Sequence, residues 1–140
     1  MKCMVANNEK ELVPRKAHPE DAGFDIFAPQ DFIIHGGESV IVDTGVSIEI
    51  PMGYCGLICN KSGLAFKDNI ETVLGVVDSG YTGNIGVKLV NHGSFHKFFK
   101  EGDKISQLVV VQLHRDSKLE VVDKLPKSER GNGGFGSTGR

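Results

Sequence analysis

With 140 residues, 39% hydrophobic and 24% charged, the chain is long enough for one domain with a buried core and too balanced in composition to be disordered or fibrous. Its net charge of -2 gives no electrostatic case for nucleic acid or an acidic membrane as a partner, and the longest apolar runs, such as LVVVQL (108–113), are far too short to span a bilayer. The stretch MKCMVANNEK has no apolar leader, and the odd count of 3 cysteines suggests reduced thiols, so a cytoplasmic setting is expected.

Glycine, 18 in all, punctuates β-branched runs along the chain. In order, FIIH (32–35), SVIVDTGVSIEI (39–50), YCGLIC (54–59), IGVKLV (85–90) and ISQLVVVQL (105–113) are predicted strands. VSIEIP alternates with period two, as a half-buried strand should. Turn signals fall between these runs at Gly36-Gly37, Pro51-Met52-Gly53, Gly80, Gly83 and Gly102-Asp103. SGLAFKDN (62–69) is the one place for a short helix, and GVVDSGYTGNIG (75–86) reads as a β-hairpin. Many short strands between Gly turns predict an all-β sandwich or barrel. From residue 121 the chain becomes charged and then Gly-rich, which predicts an arm leaving the body.

Two pairs with ligand-like spacing are discounted. Cys55 and Cys59 have no second Cys or His pair to complete a zinc site, and Gly93 within HGSFH (92–96) spoils a helical face for His92 and His96. The tail RGNGGFGSTGR (130–140) contains G-x-G-x-x-G, but that dinucleotide fingerprint requires a helix after it, and the four residues that follow predict none.

Four short stretches combine residues that a plain strand protein does not need. They are DAGFDIFAP with Asp25, NKSGLA, GVVDSGYTGNIG with Asp78 and Tyr81, and GDKISQL with Gln107. Singly, each has a bland reading as turn or strand chemistry. Together they supply the parts of a nucleotide site. Lys61, Ser62 and Gly63 offer a cation, a hydroxyl and an approachable backbone, the groups that phosphate oxygens require. The tail adds Arg130, the N–H groups around Gly136, the hydroxyls of Ser137 and Thr138, and a ring, Phe135, able to stack on a base. Asp78 beside Tyr81 is a carboxylate next to a flat apolar surface, placed to activate water. A Gly-rich arm carrying Phe135 then makes sense as a lid.

In order, AGFD, KSGLA, GVVDSGYTGNIG, GDKISQL and RGNGGFGSTG resemble the five motifs of the trimeric deoxyuridine triphosphatase (dUTPase) family, over residues 22–139. The resemblance implies a distorted jelly-roll-like β-sandwich or barrel with one short helix and an extended C-terminal arm. It implies a single β domain over 1–125 that carries the nucleotide site, with an arm over 126–140 closing over a neighbouring subunit's site. The implied assembly is a homotrimer with sites between subunits, and the implied activity is hydrolysis of dUTP to dUMP and pyrophosphate, which keeps uracil out of DNA.

Residue roles follow from the same likeness. Asp78 resembles the general base for the water that attacks the α-phosphorus, a task suited to a group ionised at neutral pH. Tyr81 resembles the residue under the deoxyribose. Thr72, Gly75, Val76, Val77 and Gly86 resemble the uracil reader, whose narrow shape excludes a 5-methyl group. Ser62, Gly63 and Gln107 resemble phosphate contacts, and Asp25 the residue near a hydrated Mg²⁺ held mainly by the phosphates. Two departures bear on this reading. The sister deoxycytidine triphosphate deaminases carry a catalytic Glu in the third-motif region, and no Glu stands between Thr72 and Gly86. The second motif usually begins Arg-Ser and here begins Lys61-Ser62, which changes the phosphate clamp. A non-catalytic nucleotide-binding module and a purely structural subunit are the rival classes; Asp78, Tyr81 and the complete arm speak against both.

Overall fold

The computed structural model describes residues 1–6, 9–114 and 118–133. Eleven strands follow one another: β1 (Lys2–Val5), β2 (Gly23–Phe27), β3 (Phe32–Ile34), β4 (Ser39–Asp43), β5 (Val46–Glu49), β6 (Tyr54–Cys59), β7 (Ile70–Thr72), β8 (Gly75–Asp78), β9 (Gly86–Asn91), β10 (Lys97–Phe99) and β11 (Lys104–Gln112). A 3-10 turn spans Lys10–Leu12, and one α-helix, α1, spans Ser62–Asp68. The strands form a four-stranded sheet in the order β2-β11-β6-β8, a three-stranded sheet β4-β9-β7, and the two ribbons β1-β5 and β10-β3, all antiparallel. The fold is all-β and jelly-roll-like, as expected.

One core joins these sheets. Ile26, Ile58 and Leu108 from the larger sheet pack in the same buried cluster as Val42, Ile70 and Leu89 from the smaller one, with Ile34, Val46 and Phe99 from the ribbons. Burying a side chain of this kind is worth about 1.5–3 kcal/mol, so this cluster is the main source of stability. Gly56 of β6 packs closely against this cluster. A Cβ there would stand 2.7 Å from Ile50 Cδ1 and from Leu108 Cδ1, so a larger residue would force those side-chain ends to shift.

The structure corrects two boundaries. The run 39–50 is two strands rather than one. Gly45 takes φ 66°, and the buried Thr44 Oγ1 donates to Ile85 O at 2.7 Å while accepting from Val46 N at 3.2 Å. That kink moves the chain from β4, paired with β9, to β5, paired with β1. Residues 75–86 are not a hairpin of mutually paired strands. β8 pairs with β6 while β9 pairs with β4 and β7, so the two limbs splay into different sheets. The second limb is drawn away by Ile85 N, which donates to Val46 O at 2.8 Å, and by Ile85 O, which accepts from Thr44 N at 3.3 Å. The helix matches expectation to one residue, ending at Asn69 in the left-handed region with φ 54°.

Candidate active site

The splaying of β8 from β9 leaves β8 at the edge of its sheet, so one row of its backbone groups has no ladder partner. Beside that edge lies a cavity of about 240 Å³. Five residues of the expected base and sugar site line it, Gly75, Val76, Val77, Tyr81 and Gly86, together with Asp78 and with Ile58, Asn84 and Ile85. Val77 and Ile85 are buried and fix the two walls to the core, while Asp78 and Tyr81 stand exposed at the rim. The turn between them is closed by Tyr81 N donating to Asp78 O at 3.0 Å and by the Tyr81 hydroxyl donating to Asn84 O at 2.8 Å. The Asp78 carboxylate makes no hydrogen bond or ion pair within the described residues. A base that must take a proton from water needs that freedom.

The expected phosphate groups gather elsewhere, at the far end of β6. Lys61 precedes α1 and pairs through Nζ with Asp25 Oδ1; Lys104 Nζ pairs with Asp25 Oδ2 at 2.7 Å. Asp25 is buried, which by itself would push its carboxyl up, but the hydrogen bonds and charges of Lys104 and Lys61 outweigh this and hold it below the usual carboxylate range. Gln107, opposite Asp25 in the β2–β11 ladder, donates through Nε2 to Asn60 O at 2.8 Å. Ser62 and Gly63 are exposed in the first turn of α1, and nothing lies within 4 Å of where a Gly63 Cβ would be. Thr72 does not line the cavity. It is buried, its N–H donates to Asn60 Oδ1 and its hydroxyl to Ile105 O, so it ties β7 to the segment after β6 and to β11.

Within one chain, then, Asp78 and the groups expected to contact phosphate stand apart. Asp78 faces Cys55 and Gln107 faces Cys59 across β6, four residues apart, or roughly 13 Å at strand rise. The cavity, about 240 Å³, is also smaller than the ~300–1,000 Å³ typical of sites for whole ligands. A larger concavity of about 640 Å³ lies between Glu9, Phe32, Val40 and Asp43, but its described lining holds no Lys or Arg to receive phosphate.

Arg130 belongs to an exposed stretch, 118–132, that carries no helix or strand; its Nε donates to Gly133 O at 2.9 Å. Phe135, Gly136, Ser137 and Thr138 lie outside the described residues. Sequence reasoning missed Asn60, Lys104 and Asn84 as supporting residues. Lys104 sat within GDKISQL, where its charge was a usable signal; the backbone partners of Asn60 and Asn84 could not be read from sequence.

The architecture is that of a jelly-roll-like β protein with a cavity beside Asp78 and, separately, Lys61 and Lys104 gathered on Asp25, the parts expected of a nucleotide site. Comparison with known proteins narrows that class. The dUTPase family model matches residues 9–139, so the chain belongs to the dUTPase family. A deoxyuridine 5'-triphosphate nucleotidohydrolase of Gloeothece citriformis is 45% identical over 143 residues, covering 99% of this chain and 97% of that protein. Among solved structures, a dUTPase mutant of Staphylococcus bacteriophage 80alpha with dUpNHpp superposes with TM-score 0.89 at 27% identity over 99% of both chains. A dUTPase mutant from phage phi11 of S. aureus, which reveals the coordination of a structural Mg(II) ion, gives TM-score 0.78 at 26% identity, covering 89% of this chain and 98% of that one.

Proposed function

We propose that this protein hydrolyses dUTP to dUMP and pyrophosphate, with Asp78 as general base. The observation that carries this reading is the cavity at the splayed β8 edge, with Asp78 and Tyr81 at its rim. Backbone donors and acceptors along Gly75, Val76, Val77 and Gly86, on the side away from their ladder partners, suit the edge of uracil and reject cytosine, because an unmatched buried polar group is costly. The Tyr81 ring fills the space that a 2'-hydroxyl would need. Asp78 takes a proton from water as its oxygen bonds to the α-phosphorus; the bond to the bridging oxygen breaks and pyrophosphate leaves.

Ser62, Gly63, Gln107 and Lys61 bind the phosphates, and Arg130, Phe135, Gly136, Ser137 and Thr138 of the arm close over the nucleotide. The distance between Asp78 and those phosphate groups within one chain supports a homotrimer in which each site takes its base from one subunit and its phosphate contacts from another. The 1–125 body and 126–140 arm are the corresponding division. Among the described residues no cluster of three or more His, Cys, Asp or Glu is arranged to hold a metal. Both Asp25 oxygens already carry ammonium partners. The residues therefore fit Mg²⁺ only as part of the substrate, held by triphosphate and water, with Asp25 reaching it through water. When bound, Mg²⁺ neutralises charge on the phosphates.

No helix among the described residues is long and apolar enough to cross a membrane. The setting proposed with this activity is the cytoplasm, with free nucleotide as the substrate. The test is pyrophosphate release from dUTP beside dTTP, dCTP and UTP, with and without Mg²⁺. Preferential release from dUTP is expected; equal rates on all four would overturn the base-reading cavity.

A further inference from the structure

Gly83 stands in the loop between Tyr81 and β9, and nothing about its own backbone calls for glycine. Its φ lies outside the left-handed region, unlike those of Gly37, Gly45, Gly53, Gly102 and Gly131. What calls for glycine is the ring two residues earlier. A Cβ built on Gly83 would stand 2.6 Å from Tyr81 Oη, 2.8 Å from Cζ and 3.1 Å from Cε2, distances at which the phenol must move. All three nearest atoms belong to Tyr81, so the ring is the neighbour that a side chain at 83 meets first.

The ring is also tied to that bare backbone through its hydroxyl. The Tyr81 hydroxyl donates to Asn84 O at 2.8 Å, and Asn84 is itself steadied by Ser47 Oγ, which donates to Asn84 Oδ1 at 3.2 Å. The next residue, Ile85, is tied to Val46 O at 2.8 Å. The loop 83–85 is thereby docked on β5, and the phenol is docked on the loop. Tyr81 is exposed, so without this support its ring would turn freely about χ1 and χ2 at the mouth of the cavity.

We infer that Gly83, with the Asn84 carbonyl, forms a seat that fixes the Tyr81 ring across the cavity mouth, and that Gly83 is thereby a positioning residue for selection of a deoxyribose over a ribose. The inference rests on the dUTP reading above, since it needs Tyr81 to lie against the sugar. A ring rejects an added hydroxyl only if it is held in place; a ring that can step aside admits it. Packing discrimination against one extra hydroxyl is on the order of 10²-fold, so losing the seat should forfeit a large part of that.

The test compares Gly83→Ala with Gly80→Ala, a glycine of the same loop with nothing within 4 Å of its Cβ position and no left-handed φ. Two readouts are taken: the ratio of kcat/KM for dUTP to that for UTP, and the ring resonances of Tyr81 in nucleotide-free protein, with Tyr54 the one other tyrosine. Gly83→Ala is expected to lower the ratio by roughly ten-fold or more and to shift the Tyr81 ring resonances, while Gly80→Ala changes neither. An unchanged ratio with unshifted Tyr81 resonances overturns the seat. A general loss of packing would slow both substrates alike and leave the ratio intact, which also overturns it. Should Gly83→Ala fail to fold, the double variant Gly83→Ala/Tyr81→Ala decides: recovery of the fold supports the collision, and failure to recover refutes it. Wild-type protein that treats dUTP and UTP alike would fault the functional reading, and the nucleotide-free resonances would still report on the seat.

Discussion

Asp25 and Lys61, 36 positions apart in sequence, meet in an ion pair beneath the proposed phosphate site, and Lys104 completes it by taking the second carboxylate oxygen at 2.7 Å. The Asp25 side chain is 8% exposed, against 24% for Lys61 and 46% for Lys104. The carboxylate is thus the buried member and the two ammonium groups are its link to solvent. Asp25→Asn leaves two neighbouring cations without their anion. We expect a loss of about 2–3 kcal/mol at neutral pH, below the ~3–5 of a fully buried pair because Lys104 is partly solvated. Urea unfolding of the two proteins side by side measures it.

The same carboxylate sets a pH dependence. Its folded-state pKa is held below the value near ~4 of an unfolded Asp, so its contribution to stability is present above that value and fades as pH falls through the lower, folded-state one. The gap in stability between wild type and Asp25→Asn should therefore hold at neutral pH and narrow only as pH falls below the ordinary Asp range. A gap that stays constant over this range would mean that Asp25 acts through packing and not through charge.

Lys61 has two employments that compete: Asp25 in the ligand-free chain and phosphate in the proposed complex. Lys104 makes the exchange affordable, since Asp25 keeps one partner when Lys61 turns away. Lys61→Arg should retain turnover at wild-type level or above, because the guanidinium fork holds two phosphate oxygens. Lys61→Ala should lose activity on the order of 10²-fold, the typical cost of poor substrate placement. Full activity at unchanged KM in Lys61→Ala would reduce Lys61 to a partner of Asp25 and assign the clamp to Arg130.

Asp78→Asn keeps the shape of the rim and removes the proton acceptor. Binding of dUTP should survive, with single-turnover hydrolysis slowed ~10²–10⁴-fold. A rate near wild type would remove Asp78 from the role of base.

Deleting residues 130–140 should leave the unfolding midpoint nearly unchanged, because the described part of the arm is exposed and contributes nothing to the core cluster. Turnover of dUTP should collapse, because the proposed lid is lost. If the proposed trimer holds, co-refolding the truncated chain with Asp78→Asn should restore a fraction of wild-type activity, since mixed assemblies would then hold sites with an intact base from one subunit and an intact arm from another. Mixed assemblies as inactive as either parent would argue for a site completed within a single chain.

The long strands were legible because their periodicity and β-branching are local: 54–59 was read to the residue, and 105–113 to within one at each end. β7 and β10, three residues each, are too short to show a period, and β2 is buried at four of its five positions, so it has no alternation to read. Each of these exists because a neighbour from elsewhere in the chain supplies its ladder. The split of 39–50 had a visible cue in Gly45, but that a bend there would switch sheets depended on where Ile85 arrived.

For the site, residue types and their order determined the chemistry by themselves. A carboxylate beside a ring, a cation with a hydroxyl and glycine, and a Gly-rich arm with one Phe are sets of groups that a nucleotide needs, and they are set by covalent sequence alone. Their arrangement was not. That 75–86 opens into a cavity instead of closing as a hairpin, that Thr72 turns inward, and that Asp25 holds two lysines are outcomes of pairing between distant segments. The physical reason is that side-chain chemistry is a property of each residue, whereas a free sheet edge or a buried carboxylate is a property of which neighbours the whole chain brings to it.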